Sequence, residues 1–174
     1  MPNHCHNRVT FYSDDTTAIL KLHKIFLKGI ETDDNTEPND SVFGSFIPEP
    51  DWTKIPLNEE TVQEYSFSNP RGELGECPKM IVDKDKPFRS GLRFESTDVM
   101  DDRWYNWRVQ NWGTKWDAYS LEIDECDMPH GFEVNFETAW SPPEEVCTAI
   151  REQFDDLSIS WFYDEPGCEL AGYL

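Results

Sequence analysis

The order of elements legible in this chain predicts an α+β fold of the ferredoxin-like, split βαβ kind. It has an antiparallel sheet, two helices covering one face and a large insertion after the first helix. Three observations carry that prediction. Apolar residues alternate with period two over 8–12, 119–124, 132–140 and 157–163, and they recur at helical spacing over 19–26 and 146–154. The stretch from 31 to 100 keeps neither period for long. The resulting order is strand, helix, insertion, strand, strand, helix, strand, read as one domain over 1–174 with 31–100 packed on it as an insertion. Seven Trp and eleven Phe among 174 residues can fill a core of that size.

In the first strand Val9 and Phe11 share one side, with Arg8, Thr10 and Tyr12 on the other. Asp14 or Asp15 can cap the helix that follows. Ile19, Leu22, Ile25 and Phe26 form its apolar stripe, Lys21, Lys24 and Lys28 face water, and Gly29 marks its expected stop. Residues 31–40 read as an exposed loop. In FGSFIPEPDW, Pro48 and Pro50 preclude regular pairing, while Phe43, Phe46, Ile47 and Trp52 anchor the segment by burial. A short helix is expected over 59–65 and a turn over 69–75. Trp104 and Trp107 begin another short helix that ends at Gly113.

A hairpin comes next. Tyr119, Leu121 and Ile123 alternate with Ser120, Glu122 and Asp124; Phe132, Val134, Phe136, Thr138 and Trp140 alternate with Glu133, Asn135, Glu137 and Ala139. One face is therefore apolar and the other acidic. Ser141, Pro142, Pro143 and Glu144 carry the spacing of a capping box with proline at the first helical position. Val146, Cys147, Ile150 and Phe154 supply that helix's buried stripe, and Leu157, Ile159, Trp161 and Tyr163 alternate through a last strand.

Charge narrows the functional classes. The formal net charge is -20, and residues 117–174 hold fifteen Asp or Glu against a single basic residue, Arg151. Such a field repels nucleic acid and anionic lipid and favours a cationic partner. An open sheet offering Glu122, Asp124, Glu133 and Glu137 is also unlike the basic, aromatic face on which RNA-recognition domains stack bases. No stretch approaches a membrane span, and the start MPNHCHNRVT has neither a basic nor an apolar leader, so a cytoplasmic location is expected. Cysteines at 5, 77, 126, 147 and 168 are odd in number and form no CxxC pair, which predicts reduced thiols.

Three constellations invite chemistry. His4, Cys5 and His6 are good zinc-ligand types, but on a strand Cys5 points away from the two histidines and no further ligands show supporting spacing; the competing reading is an ordinary amino-terminal turn, and no metal or cofactor is expected. Gly113, Thr114 and Lys115 suggest a phosphate loop, yet the glycine spacing of such loops is missing. The structural reading has Trp112, Trp116 and Trp140 filling the core, Gly113 ending a helix, and Lys115 with Asp117 fixing the entry to the next strand. Glu133 and Glu137, four residues apart opposite Glu122 and Asp124, would suit acid–base work only if desolvated, and the alternation predicts a solvated face.

The start MPNHCHN, the FGSFIPEP segment, NWGTKWD over 111–117, and FETAWSPP over 136–143 leading to YDEPGCELAG together resemble the YubB-like family of phage and plasmid proteins. Members of that family carry Trp where this chain has His4. The resemblance implies a ferredoxin-like domain and a mobile-element origin, and it supplies no catalytic residues. The functional expectation is a non-enzymatic binding protein that docks Glu122, Asp124, Glu133 and Glu137 on a basic host protein. In its sharpest form the protein mimics DNA before a nucleic-acid-processing or defence enzyme. Competing readings are a structural or regulatory module binding through Trp52, Trp104 or Trp107, and a small enzyme or metal protein.

Overall fold

The computed structural model describes residues 3–31, 41–59, 73–77, 80–82, 92–94 and 103–174. The loop expected over 31–40, the helix over 59–65 and the turn over 69–75 lie wholly or largely outside these.

Strand β1 (His4–Tyr12) alternates strictly between burial and exposure, with Cys5, Asn7, Val9 and Phe11 inward. It is longer than the 8–12 stretch because two inward residues are not hydrophobic signals: Cys5 is small, and Asn7 is polar. Asn7 is tolerated inside because its bonds are made. Its amide donates to the Cys5 carbonyl and to Thr138 Oγ1, both at 3.0 Å, and its oxygen accepts from Trp161 Nε1 at 3.0 Å. His4, Cys5 and His6 thus stand in a strand and not in an amino-terminal turn.

Helix α1 (Thr16–Glu31) starts where Asp15 accepts the Thr17 N–H at 2.9 Å. It buries Ile19, Leu22 and Phe26. Gly29 does not stop it. The glycine sits inside the helix, where a Cβ would fall 2.4 Å from Val42 Cγ2, so its role is close approach.

Short strands β2 (Met80–Val82) and β3 (Leu92–Phe94) pair with each other, apart from the main sheet. Helix α2 (Arg103–Trp112), strands β4 (Tyr119–Asp124) and β5 (Gly131–Ala139), helix α3 (Glu144–Gln153), and strands β6 (Ser158–Glu165) and β7 (Leu170–Tyr173) complete the chain. The main sheet is antiparallel in the order β4-β5-β1-β6-β7. Its first four strands have the split βαβ arrangement, and β7 adds an edge absent from the sequence expectation. Val9, Phe11, Phe132, Val134, Phe136 and Trp161 face the buried residues of α1 and α3 in one apolar core.

The segment from 41 to 57 closes that core. Val42, Phe43 and Phe46 are buried in it. Asp117, itself buried, accepts the N–H groups of Val42, Phe43 and Ala118, each at 2.9 Å. Trp112 Nε1 donates to the Ile47 carbonyl at 3.0 Å, and Gln153 to that of Phe46 at 3.1 Å. The buried Arg108 guanidinium lies between the rings of Trp104 and Trp112 and reaches Glu49 through Nε at 2.8 Å.

Two expectations around 140–144 fail. Ser141 does not cap α3; its hydroxyl donates to the Gly113 carbonyl, and the capping position is Pro143 with no side-chain bond. Pro142 instead offers its carbonyl to the Glu144 N–H at 3.1 Å. Trp140 does not extend the buried face of β5. The strand ends at Ala139, and Trp140 takes φ +75° with 47% of its surface exposed. Trp116 is half-buried, while Trp112 is fully buried as expected. Gly113, at φ +80°, ends α2 in the left-handed conformation its sequence position suggests.

Candidate functional site: the open face of the sheet

With the helices on one side, the other face of the sheet presents the outward residues of five strands. Register places Asp124 opposite Glu133 and Glu122 opposite Asn135 between β4 and β5. Across the next pair Glu133 stands opposite Thr10, Asn135 opposite Arg8 and Glu137 opposite His6. On the far side of β1, His6 meets Asp164, Arg8 meets Phe162 and Thr10 meets Ser160. The four carboxylates expected on one face are all on it. That face is not uniformly acidic, because β1, β6 and β7 add His4, His6, Arg8, Phe162 and Tyr173.

Arg8 is the centre of this arrangement. Its guanidinium lies 5.6 Å from the Phe162 ring, which packs edge-on against Tyr173. A groove of about 440 Å³ runs over Arg8 and Phe162, lined also by His6, Glu122, Glu137 and Asp164 among others. The acidic half lies toward β4, where Glu122 and Asp124 are exposed. Glu133 accepts from Thr10 at 3.3 Å and from Asn135 at 3.4 Å. Among the described residues no cation pairs with Glu122, Asp124 or Glu133. Bonds from the Cys126 thiol and then its N–H hold the Asp124 carboxyl below its ordinary range, so it stays charged opposite Glu133.

The other end of the face holds a compact polar cluster. His4 Nδ1 lies 3.1 Å from Glu137 Oε2, and His6 Nδ1 lies 3.2 Å from Oε1 of the same carboxylate. Tyr119 joins them through its hydroxyl, 2.9 Å from His4 Nδ1 and 3.3 Å from the Thr138 carbonyl. Strict alternation groups Tyr119 with Leu121 and Ile123 on the apolar face, and this is incorrect. Register advances by three residues on β4, from Tyr119 to Glu122, against two on β5, from Glu137 to Asn135. The extra residue is a bulge, with Ser120 at φ +53°, and it turns Tyr119 to the open face. Burial, then the charges of Glu137 and Cys5, push the Tyr119 hydroxyl up to about 12, so it remains a neutral phenol.

The remaining sequence candidates fall elsewhere. Cys5 is buried on the opposite side of β1 from His4 and His6, and burial pushes its thiol up to about 11. Gly113 lies against Pro142, Glu144 and Glu145 at the start of α3, Lys115 lies over the Trp116 ring at 4.5 Å, and Asp117 holds residues 42 and 43. Trp52, Trp104 and Trp107 are half-buried, and Trp52 and Trp104 also face the guanidinium groups of Arg103 and Arg108. Sequence reasoning missed Arg8, Phe162 and Tyr119 as members of one face. Arg8 and Phe162 required the pairing of β1 with β6, which joins residues far apart in the chain.

Together these features define a ferredoxin-like α+β domain whose sheet is open on one side. Residues 115–174 match the family described as the ferredoxin-like domain in Api92-like protein. The crystal structure of the protein api92 from Yersinia pseudotuberculosis is similar, with a TM-score of 0.45 and 13% identity over 99% of this chain and 93% of that one. No curated protein matches the sequence. The matched span contains β4, β5, α3, β6 and β7, whereas the central strand β1 comes from outside it. Among the described residues no helix is long and apolar enough to cross a membrane.

Proposed function

We propose that this protein is a binding module whose open sheet face receives a cationic segment of another protein. One observation carries the reading: Asp124 and Glu133 stand directly opposite each other without a paired cation among the described residues. Like charges placed so across a strand pair are destabilising, so a sheet retaining them favours a positive group arriving from outside. Glu122 extends the acidic edge, and Phe162, packed against Tyr173, gives the groove an apolar side. Glu137 is a weaker member of the docking set, because His4 and His6 already engage it.

The resemblance to phage and plasmid YubB-like proteins directs the search to a host partner, with a nucleic-acid-processing or defence enzyme as the sharpest case. Imitation of DNA demands a field of carboxylates spaced like phosphates, and Arg8 interrupts such a field at the centre of the face. Docking of a basic protein segment along the β4–β5 edge makes no such demand.

The test is capture from host lysate at low and high salt, using the native protein and the Asp124→Lys/Glu133→Lys double variant as parallel baits. A partner retained by the native protein, released by salt and absent from the variant supports the reading. Equal retention by both baits sinks it. Displacement of that partner by DNA then distinguishes mimicry from simple docking.

A further inference from the structure

We propose that Arg8 receives an acidic side chain of the docked segment, so that the partner this face selects is a basic stretch interrupted by a carboxylate and not a run of cations alone. The inference rests on the docking reading of the open face and adds the chemistry that discriminates among basic partners.

Arg8 is an arginine without an acceptor. Arg103 donates to the carbonyls of Trp52 and Ile55, Arg108 to Glu49, and Arg151 to the Leu174 carbonyl. Arg8 is exposed, and among the described residues its guanidinium makes no hydrogen bond or ion pair; it lies over the Phe162 ring, 5.6 Å from the centroid. The register accounts for this in a chain so rich in carboxylates. Directly across from Arg8 stand Asn135 on β5 and Phe162 on β6, whereas Glu133 stands opposite Thr10, and Glu137 and Asp164 stand opposite His6. Glu133 is bonded to Thr10 and Asn135, and Glu137 to His4.

Phe162 is itself packed edge-on by Tyr173, which gives the guanidinium a fixed floor. The donors of a guanidinium lie in its plane, so stacking leaves them open to form a bidentate pair with a carboxylate. The groove above Arg8 also carries Glu122, Glu137 and Asp164. A ligand of anions alone, such as a nucleic-acid backbone, satisfies Arg8 and is repelled by those three. A segment of cations alone brings like charge onto Arg8. The complement to both is a carboxylate flanked by cations. Glu122, Asn135 and Arg8 form one row across neighbouring strands. Two strand spacings separate the ends of that row, about 10 Å, which an extended segment covers in three residues.

The test is fluorescence anisotropy at low salt with two labelled peptides of equal length and equal net charge. One has lysines as its only charged residues; the other has an extra lysine and a single glutamate, set three residues from a lysine on each side. The native protein should bind both, and the glutamate peptide about tenfold more tightly. Arg8→Gln should lose that preference and bind the all-lysine peptide more tightly than the native protein does, because a like charge has gone. Equal affinity of the native protein for the two peptides, or a preference that survives Arg8→Gln, overturns the inference and leaves the docking reading standing. Binding of neither peptide, or binding of both that is untouched by Asp124→Lys/Glu133→Lys, sinks the docking reading and this inference with it.

Discussion

Two tryptophans that look alike in the sequence have opposite fates. Trp112 is buried, donates to Ile47 and stacks on Arg108; Trp140 is nearly half exposed at φ +75°. Trp112→Ala should therefore cost ~3–5 kcal/mol in denaturant unfolding. Trp140→Ala should cost about 1 kcal/mol or less, as surface changes do. Trp140→Gly should be no worse than Trp140→Ala, because glycine adopts positive φ without strain. Equal losses for Trp112→Ala and Trp140→Ala would contradict this packing. Alternation identified the inward residues of β5 as far as Thr138, since side chains on a regular strand obey period two. It could not show where the strand stops, which is set by Trp140 turning to give its N–H to the Asn3 carbonyl.

At the scale of elements, helices and strands were legible wherever a long apolar period ran undisturbed, as in α1, α3 and β6. Failures gathered where another segment of chain supplied the deciding contact. Gly29 reads as a helix stop because glycine commonly is one, yet the partner that requires it is Val42, in the covering segment 41–57. Gly29→Ala gains up to about 1 kcal/mol of helix propensity. The new methyl group collides with Val42, which is buried and tied by its N–H to Asp117 and so cannot withdraw. A net loss of about 1 kcal/mol or more is expected from that overpacking. Adding Val42→Ala should recover part of the loss; if Gly29→Ala alone raises the melting temperature, the close approach is not real. The bulge at Ser120 is the same kind of miss. No residue in YSLEID announces it, and it decides which face receives Tyr119.

For the molecule as a whole, composition read the charge correctly and could not read its distribution. Four carboxylates do share the open face, but β1 and β6 lay histidines, Arg8 and Phe162 beside them, which only the strand order reveals. The opposed Asp124 and Glu133 should weaken the isolated protein. Glu133→Gln keeps one oxygen to accept from the Asn135 amide, can donate its own N–H to the Thr10 hydroxyl in exchange for the bond it loses, and removes the repulsion, so stability should rise by ~0.2–1 kcal/mol. The gain should shrink in high salt, as the repulsion itself is screened. A stability unchanged at low salt would remove the electrostatic case for an external cation.

The strand order also governs what the 115–174 span can do alone. Its β5 and β6 are both partners of β1 and do not pair with each other. Separated from residues 4–12, that span would expose the inner edges of two strands along its middle.

Asp117 holds the covering segment by accepting backbone N–H groups of Val42 and Phe43, and such bonds do not read side-chain identity. It therefore fixes where residues 42 and 43 lie without depending on which side chains they carry. The same residue sits two positions into the matched span and secures the first strand of that span through Ala118. A single carboxylate thus serves as the seam at which the covering segment is joined to the first strand of that span.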